Sequence, residues 1–164
     1  MSRRSGILVA TVVGVLVFLL DQGMKWAVET YIGIGASVSA IPGVLRLTHI
    51  KNSGGAFGIL GGSQVILLVG SVLAVLVVLW MLLASPPSRF TALGCGLVLG
   101  GAAGNLLDRL TAGAVTDYAD LQFWPLGNWP IFNAADTAIV AGVILLLLAA
   151  FSADPDRENT GPQK

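Results

Sequence analysis

The chain has 164 residues, 55% of them hydrophobic and only 11% charged, with nine basic and nine acidic side chains. Soluble domains carry roughly 25% charged residues, so a water-soluble fold would lack the polar surface to cover itself, and the composition points to an integral membrane protein built as one bundle. Zero net charge gives no electrostatic footprint for nucleic acid, and a single cysteine (Cys95) and a single histidine (His49) exclude an internal disulfide and any multi-Cys or multi-His metal centre.

Taken in order, the chain starts with Arg3 and Arg4 and then turns apolar, with a first span expected over 7–26. That is roughly 20 residues, enough to cross a bilayer, and no small-x-small cleavage site follows it as a signal peptide would require. Further spans are expected at 65–84, 92–110 and 134–151, with a polar, disordered tail over 152–164, all within one domain of residues 1–164. Four spans put both termini on one side. Arg3, Arg4, Arg89, Arg157 and Lys164 fall on that side, against Arg46 and Lys51 in the opposite loops, so the positive-inside rule places the termini in the cytoplasm.

The long connection at 28–63 carries Leu45, Leu47 and His49 alternating with Arg46 and Thr48, after a Pro42-Gly43 turn signal. It reads as a small sheet-like layer over the outer face, with His49 as a surface residue. In the third span Gly96, Gly100 and Gly104 recur every fourth residue, which presents one small-residue face for close helix packing. Cys95 beside them is expected to be a small buried hydrophobe. Phe123, Trp124, Trp129 and Phe132 suit the membrane–water interface, so the last outer loop is expected to lie on the bilayer.

The polar residues avoid mid-bilayer depth, where an Asp, Lys or Arg costs roughly 2.5–3.5 kcal/mol. Asp21 and Lys25 end the first span, Asp108 and Arg109 end the third, and Asp136 begins the fourth. Three helix ends thus bring ionisable groups to one level of the outer leaflet, which makes them functional candidates. Asp21 and Lys25 are spaced to meet on one helix face, whereas adjacent Asp108 and Arg109 need separate partners. Asp117 is expected in a loop just after the third span, with Asp120 as an exposed loop acid.

Asp117 and Asp136 together suggest hydrolysis. Two carboxylates that share a proton can split a peptide bond with one water, one as general base and the other as general acid. A rival class is a small membrane transporter or proton-conducting subunit, for which intramembrane acids are the usual mark. Another is an assembly protein that uses its glycine face. The acids cluster at one face instead of marking a path through the bilayer, which argues against transport, and an assembly role leaves the polar cluster unexplained.

Five blocks carry a resemblance: DQGMK at 21–25, NSGGAFG at 52–58, GNLLDR at 104–109, VTDY at 115–118 and FNAAD at 132–136. In this order, over this length, the chain resembles the lipoprotein signal peptidases (signal peptidase II) of the bacterial inner membrane. The resemblance implies an all-α membrane protein of four transmembrane helices with a small extracytoplasmic β-cradle and a short amphipathic helix. It implies an aspartic endopeptidase with Asp117 and Asp136 as the catalytic pair, near the outer leaflet, and no metal or cofactor. Asp21, Lys25, Asn52, Gly54, Asn105, Asp108, Arg109, Asn133 and Ala135 match positions that shape or support the site. The three asparagines suit hydrogen bonds to substrate backbone, while Lys25 and Arg109 suit fixing the architecture. The implied substrate is a diacylglyceryl-modified prolipoprotein cut just before its lipidated cysteine, by a monomer in the phospholipid membrane that globomycin-type inhibitors would block. Gly55 stands where alanine is common in the family, which would loosen the start of the short helix. The GxGD signature of presenilin-type proteases is absent.

Overall fold

Helix α1 (Arg3–Tyr31) begins at an N-cap Ser2, whose hydroxyl accepts from the Ser5 N–H. In the computed structural model, which describes residues 1–54, 64–84 and 86–151, it is followed by strands β1 (Ser37–Ile41) and β2 (Leu45–Asn52), then helices α2 (Gln64–Ala84) and α3 (Arg89–Ala112). Strand β3 (Val115–Leu121), a short 3₁₀ turn (Leu126–Asn128) and helix α4 (Ala134–Phe151) complete it. The short helix expected near Gly55 and the polar tail over 152–164 lie outside the described residues.

Among the described residues, three helices are long and apolar enough to cross a membrane, α1, α3 and α4, and α2 contributes a shorter apolar stretch, Val69–Ala84. Outward faces of α1, α2 and α4 carry exposed leucines and valines such as Leu16, Leu19, Leu73, Val77, Val140 and Leu148. An apolar surface this continuous needs a hydrocarbon solvent. Helix α3 is the axis of the bundle, with 56% of its apolar window buried against 11% for α1 and 17% for α4.

The glycines explain how α3 holds that position. A Cβ at Gly96 would lie 2.7 Å from the Ala10 carbonyl of α1, and one at Gly100 would strike the Gly14 carbonyl. At Gly104 it would strike the Asp21 carboxylate. The expected small-residue face therefore packs on α1 along its full length. A second face serves α4: a Cβ at Gly94 would lie 2.9 Å from the Gly142 carbonyl, and one at Gly101 would crowd Ala135. Cys95 is buried against α2, its Sγ 3.8 Å from the Val78 carbonyl oxygen.

Helix α3 stops at Gly113, whose positive φ of 71° is the left-handed cap that turns the chain out of the helix and into β3. The three strands form one antiparallel sheet in the order β1-β2-β3. The register of β2 on β3 slips between Leu47 and Ile50, where β2 holds one extra residue. Below the slip Lys51 faces Thr116 and Ile50 faces Asp117; above it Arg46 faces Asp120.

Candidate active site

Lys25 is the hub of the polar layer. Its ammonium has three hydrogens, and they meet three acceptors: Asp21 Oδ2 at 2.8 Å, Asp108 Oδ2 at 2.8 Å and Asn105 Oδ1 at 2.9 Å. Lys25 is 3% exposed and Asp21 0%, so the charges are out of water, and only this full pairing makes their burial tolerable. Gln22 completes the knot by donating to Asp108 Oδ1 (3.0 Å) and Asp21 Oδ2 (3.2 Å). Helices α1 and α3 are thereby locked at one height.

The knot continues into the start of α4. The first N–H groups of a helix lack partners within it. Here Ala134 N–H donates to Tyr118 Oη (3.0 Å), Ala135 N–H to Asp21 Oδ1 (2.9 Å) and Asp136 N–H to Asn133 Oδ1 (2.9 Å). In return Asp136 Oδ2 accepts from the Asn133 backbone N–H (3.2 Å). This reciprocal exchange is a capping box with Asn at the cap and Asp three residues on, and it is what the FNAAD spelling encodes. The negative Asp21 also sits well at the positive end of α4. The other Asp136 oxygen accepts from Asn105 Nδ2 (2.8 Å).

Asp117 approaches from the sheet. Its Oδ1 accepts from Asn133 Nδ2 (2.6 Å) and its Oδ2 from Asn52 Nδ2 (2.8 Å), while Asn52 Oδ1 accepts from the Gly54 N–H. Asn133, 0% exposed, therefore touches both aspartates, one through its side chain and one through its backbone. Burial pushes the Asp117 carboxyl up to about 6, the nearby Asp136 charge adds to that, and the Asn52 and Asn133 amides offset part of it. Burial also pushes the Tyr118 phenol up to about 12, so it stays protonated beside the α4 start. Its hydroxyl points to Met24 Sδ while accepting from Ala134.

Both aspartates open on a cleft of about 400 Å³. Asn52, Asn105 and Arg109 line its polar side, and Trp129, Ile131, Phe132, Ile139 and Val140 line an apolar wall. A second groove of about 440 Å³ runs between α1 and α4, and Phe132 and Thr137 border both. The arrangement sets two carboxylates and the polar side chains of Asn52, Asn105 and Arg109 beside an apolar wall in one cleft. Among the described residues there is no group of three or more His, Cys, Asp or Glu that could hold a metal ion.

Several expectations need correction. Asp117 is on a strand, because Val115, Thr116 and Asp117 pair with Asn52, Lys51 and Ile50 of β2 and the segment is buried on both faces. Asp120 is 6% exposed and accepts from Arg46, Thr48 and Gln122, so it is an internal strut instead of an exposed loop acid. His49 is 3% exposed, with Nδ1 on the Ile32 carbonyl (2.7 Å) at the end of α1. Each of the three asparagine amides donates to an aspartate, and Asn52 and Asn105 also line the cleft. Asp108 finds Lys25, as its spacing from Arg109 demanded. Arg109 makes no ion pair among the described residues; it donates to the Asn105 carbonyl (3.4 Å) and faces the cleft. Ala135 is buried against α3, where Gly101 meets its carbonyl. Gln22, Thr116 and Tyr118 join the polar layer as well, and all three lie inside the recognisable blocks DQGMK and VTDY.

Comparison with known proteins identifies relatives in sequence and in fold. The family profile described as signal peptidase (SPase) II matches residues 13–152. A lipoprotein signal peptidase of Nitratidesulfovibrio vulgaris is 42% identical over 152 residues, covering 88% of this chain and 90% of its own. One from Halothermothrix orenii is 38% identical over 137 residues, covering 84% and 91%. A bacterial membrane enzyme solved by the in meso method superposes with a TM-score of 0.82 at 28% identity over 94% of both chains. A second such structure gives 0.79 at 30% identity over 88% of this chain and 94% of that one.

Proposed function

The chain belongs to the signal peptidase II family, a membrane peptidase that removes signal peptides from prolipoproteins, and from that premise we propose that Asp117 and Asp136 form the catalytic dyad of an aspartic mechanism. The observation that carries the reading is that two buried carboxylates share Asn133 and face one cleft, with neutral amides as their hydrogen-bond donors. Carboxylates held this way keep their proton-transfer capacity, because their hydrogen bonds come from amides and neither forms an ion pair among the described residues.

The pair holds one proton between them. The ionised carboxylate takes a proton from a water, whose oxygen attacks the scissile carbonyl carbon. The protonated partner gives its proton to the carbonyl oxygen, so a tetrahedral diol forms. Collapse of the diol breaks the C–N bond; a diol hydroxyl returns its proton to one carboxylate and the other protonates the leaving nitrogen. The products are a new carboxyl terminus on the signal peptide and a free amine on the mature protein. The supporting set of Asp21, Lys25, Asn52, Gly54, Asn105, Asp108, Asn133 and Ala135 fixes the carboxylates. Arg109, facing the cleft, supplies a positive charge to the incoming substrate.

The substrate we infer is a prolipoprotein whose cysteine already carries a diacylglyceryl group, cut just before that cysteine. The apolar wall beside the dyad suits a lipid-linked residue, and the polar layer suits the outer leaflet, with four spans, both termini cytoplasmic, and a monomer as the working unit. The transport reading is not favoured, since the family is a peptidase family.

The test is a gel-shift assay with purified protein in detergent and a diacylglyceryl-modified prolipoprotein, with the unlipidated precursor and Asp117→Asn as controls. Cleavage of the lipidated form alone, lost in the variant and blocked by globomycin, is expected. Normal cleavage by Asp117→Asn overturns the dyad; equal cleavage of both precursors overturns the lipid requirement.

A further inference from the structure

Thr116 stands beside Asp117 on β3 and is 1% exposed, yet its hydroxyl points away from the dyad. It donates to Glu29 Oε1 near the end of α1 and accepts from Lys51 Nζ at 2.8 Å. Lys51 faces Thr116 across the ladder and itself pairs with Glu29. The Thr116 backbone is held from the other side, its N–H by Asp108 Oδ2 (3.4 Å) and its carbonyl by Asn133 Nδ2 (3.4 Å). That Asn133 nitrogen also holds Asp117.

The convergence needs a reason. Glu29 is 43% exposed and Lys51 31%, and an ion pair so open to water adds little to global stability. What the pair does have is position. The β2–β3 ladder slips by one residue between Leu47 and Ile50 and then runs only to Asn52, so the segment that carries Asp117 is a short piece of ladder next to a bulge. Bulges weaken the local ladder and bend the strand. A catalytic carboxylate has to be held within about 0.5 Å, far less than the roughly 3.3 Å rise of one strand residue. Backbone pairing alone is poorly placed to hold that tolerance here.

We propose that Glu29 and Lys51 are positioning residues for cleavage: through the Thr116 hydroxyl they tie β3 to α1 and β2 so that Asp117 stays seated on Asn52 and Asn133. This rests on Asp117 being one of the dyad. The clamp acts from outside the cleft and touches no substrate, so its removal slows the chemical step and leaves substrate binding alone.

The experiment measures initial rates on the lipidated prolipoprotein for Thr116→Val, Glu29→Ala, their double variant and Thr116→Ser, with Asp117→Asn alongside. Thr116→Val keeps shape and loses only the hydroxyl. Each single variant is expected to lower kcat about tenfold at unchanged KM, since small misplacements carry losses of that order. The double is expected to be no worse than the poorer single, because both break one link, and Thr116→Ser to stay within about twofold of the parent. Parental kcat in Thr116→Val and Glu29→Ala overturns the clamp, and so do losses that multiply in the double or a rise in KM alone. Should Thr116→Val fail to fold, the half-exposed Glu29→Ala still decides the question by its kcat. With Asp117→Asn inactive, any of those failures counts against the clamp only; with Asp117→Asn fully active, the dyad falls and the clamp with it.

Discussion

Strand β3 carries two buried aspartates three residues apart, and they have opposite characters. Asp117 is 2% exposed and Asp120 6%, so both are taken out of water. Burial pushes both carboxyls up. At Asp120 the Thr48 hydroxyl, the Arg46 guanidinium and the Gln122 amide more than reverse that and hold it below the usual carboxylate range. At Asp117 the donors are two neutral amides and the nearest charge of note is another carboxylate, so the net direction is upward, to about 6. Burial raises both carboxyls, more at the deeper Asp117, and at Asp120 the partners reverse it. A buried carboxylate given a cation becomes a strut, and one given amides and a like charge becomes a reagent. The register slip between Leu47 and Ile50 separates the two ends, with Arg46 opposite Asp120 and Ile50 opposite Asp117.

The largest effect that sharpens this contrast is on rate. Asp117→Asn and Asp136→Asn are expected to lower kcat by about 10⁴-fold or more, as removal of a catalytic group typically does. Asp120→Asn is expected to stay within about threefold in kcat, while losing roughly 1–3 kcal/mol of stability from its hydrogen-bonded charge pair. The three variants, assayed on one lipidated prolipoprotein and melted in one detergent, check both halves. A thousandfold rate loss at Asp120 would erase the distinction.

Asp21 and Asp108 fall on the strut side of the line, because Lys25 stands between them. Lys25→Met removes the cation that pairs with both Asp21 and Asp108, in a knot where Asp21 is fully buried. Stranding buried carboxylates in this way costs about 3–5 kcal/mol. The expected outcome is a steep fall in melting temperature, and a parental melting curve would show that the knot bears no load.

How far this could be read from the sequence follows the same line. The apolar runs and the four-residue glycine spacing are local signals, and they led to the helices and to the face of α3 that meets α1. The ionisable residues were placed together at one level because helix ends are easy to locate. Strand β3 was not legible. VTDYADL mixes polar and apolar residues without alternation, since it buries both faces and spends its polar side chains on partners from other elements. A buried Asp120 or His49 cannot be told from an exposed one until its partners, Arg46 and Thr48 or the Ile32 carbonyl, are known in space. The capping box was in plain view: an Asn followed three residues later by an acid at the start of an apolar run is the signal that would have tied Asn133 to Asp136.

A reagent carboxyl titrates near working pH and a strut does not, so pH sharpens the contrast further. If the dyad must hold one proton, activity is present below the raised Asp117 value and is lost as pH rises through it. For free enzyme, kcat/KM is therefore expected to decline above about 6, by up to tenfold per pH unit. The corresponding limb in kcat is expected at higher pH, because bound substrate excludes water from the cleft and raises the carboxyl more. Asp120→Asn should leave both limbs in place. A kcat/KM that stays flat from pH 5 to 9 in folded enzyme would remove Asp117 from proton transfer.

The smallest expected effect tests the strut from its exposed side. Arg46 is 46% exposed and holds Asp120 Oδ2 with two nitrogens, at 2.9 Å and 2.7 Å. Arg46→Gln takes away the charge but leaves Thr48 and Gln122 in place as donors. Solvent screens a pair this open, so the expected loss is at most about 1 kcal/mol, read as a small drop in melting temperature, with kcat unchanged. The useful readout is the Asp120 carboxyl itself, followed by ¹³C NMR as pH is lowered. Its titration should move upward toward the ordinary carboxylate range once the guanidinium is gone, because burial then acts against fewer opposing partners. If it does not move, Thr48 and Gln122 hold Asp120 ionised on their own, and neutral donors would then suffice to make a strut. Asp117, which also has two neutral donors, would then owe its upward direction to its deeper burial and to the neighbouring Asp136 charge.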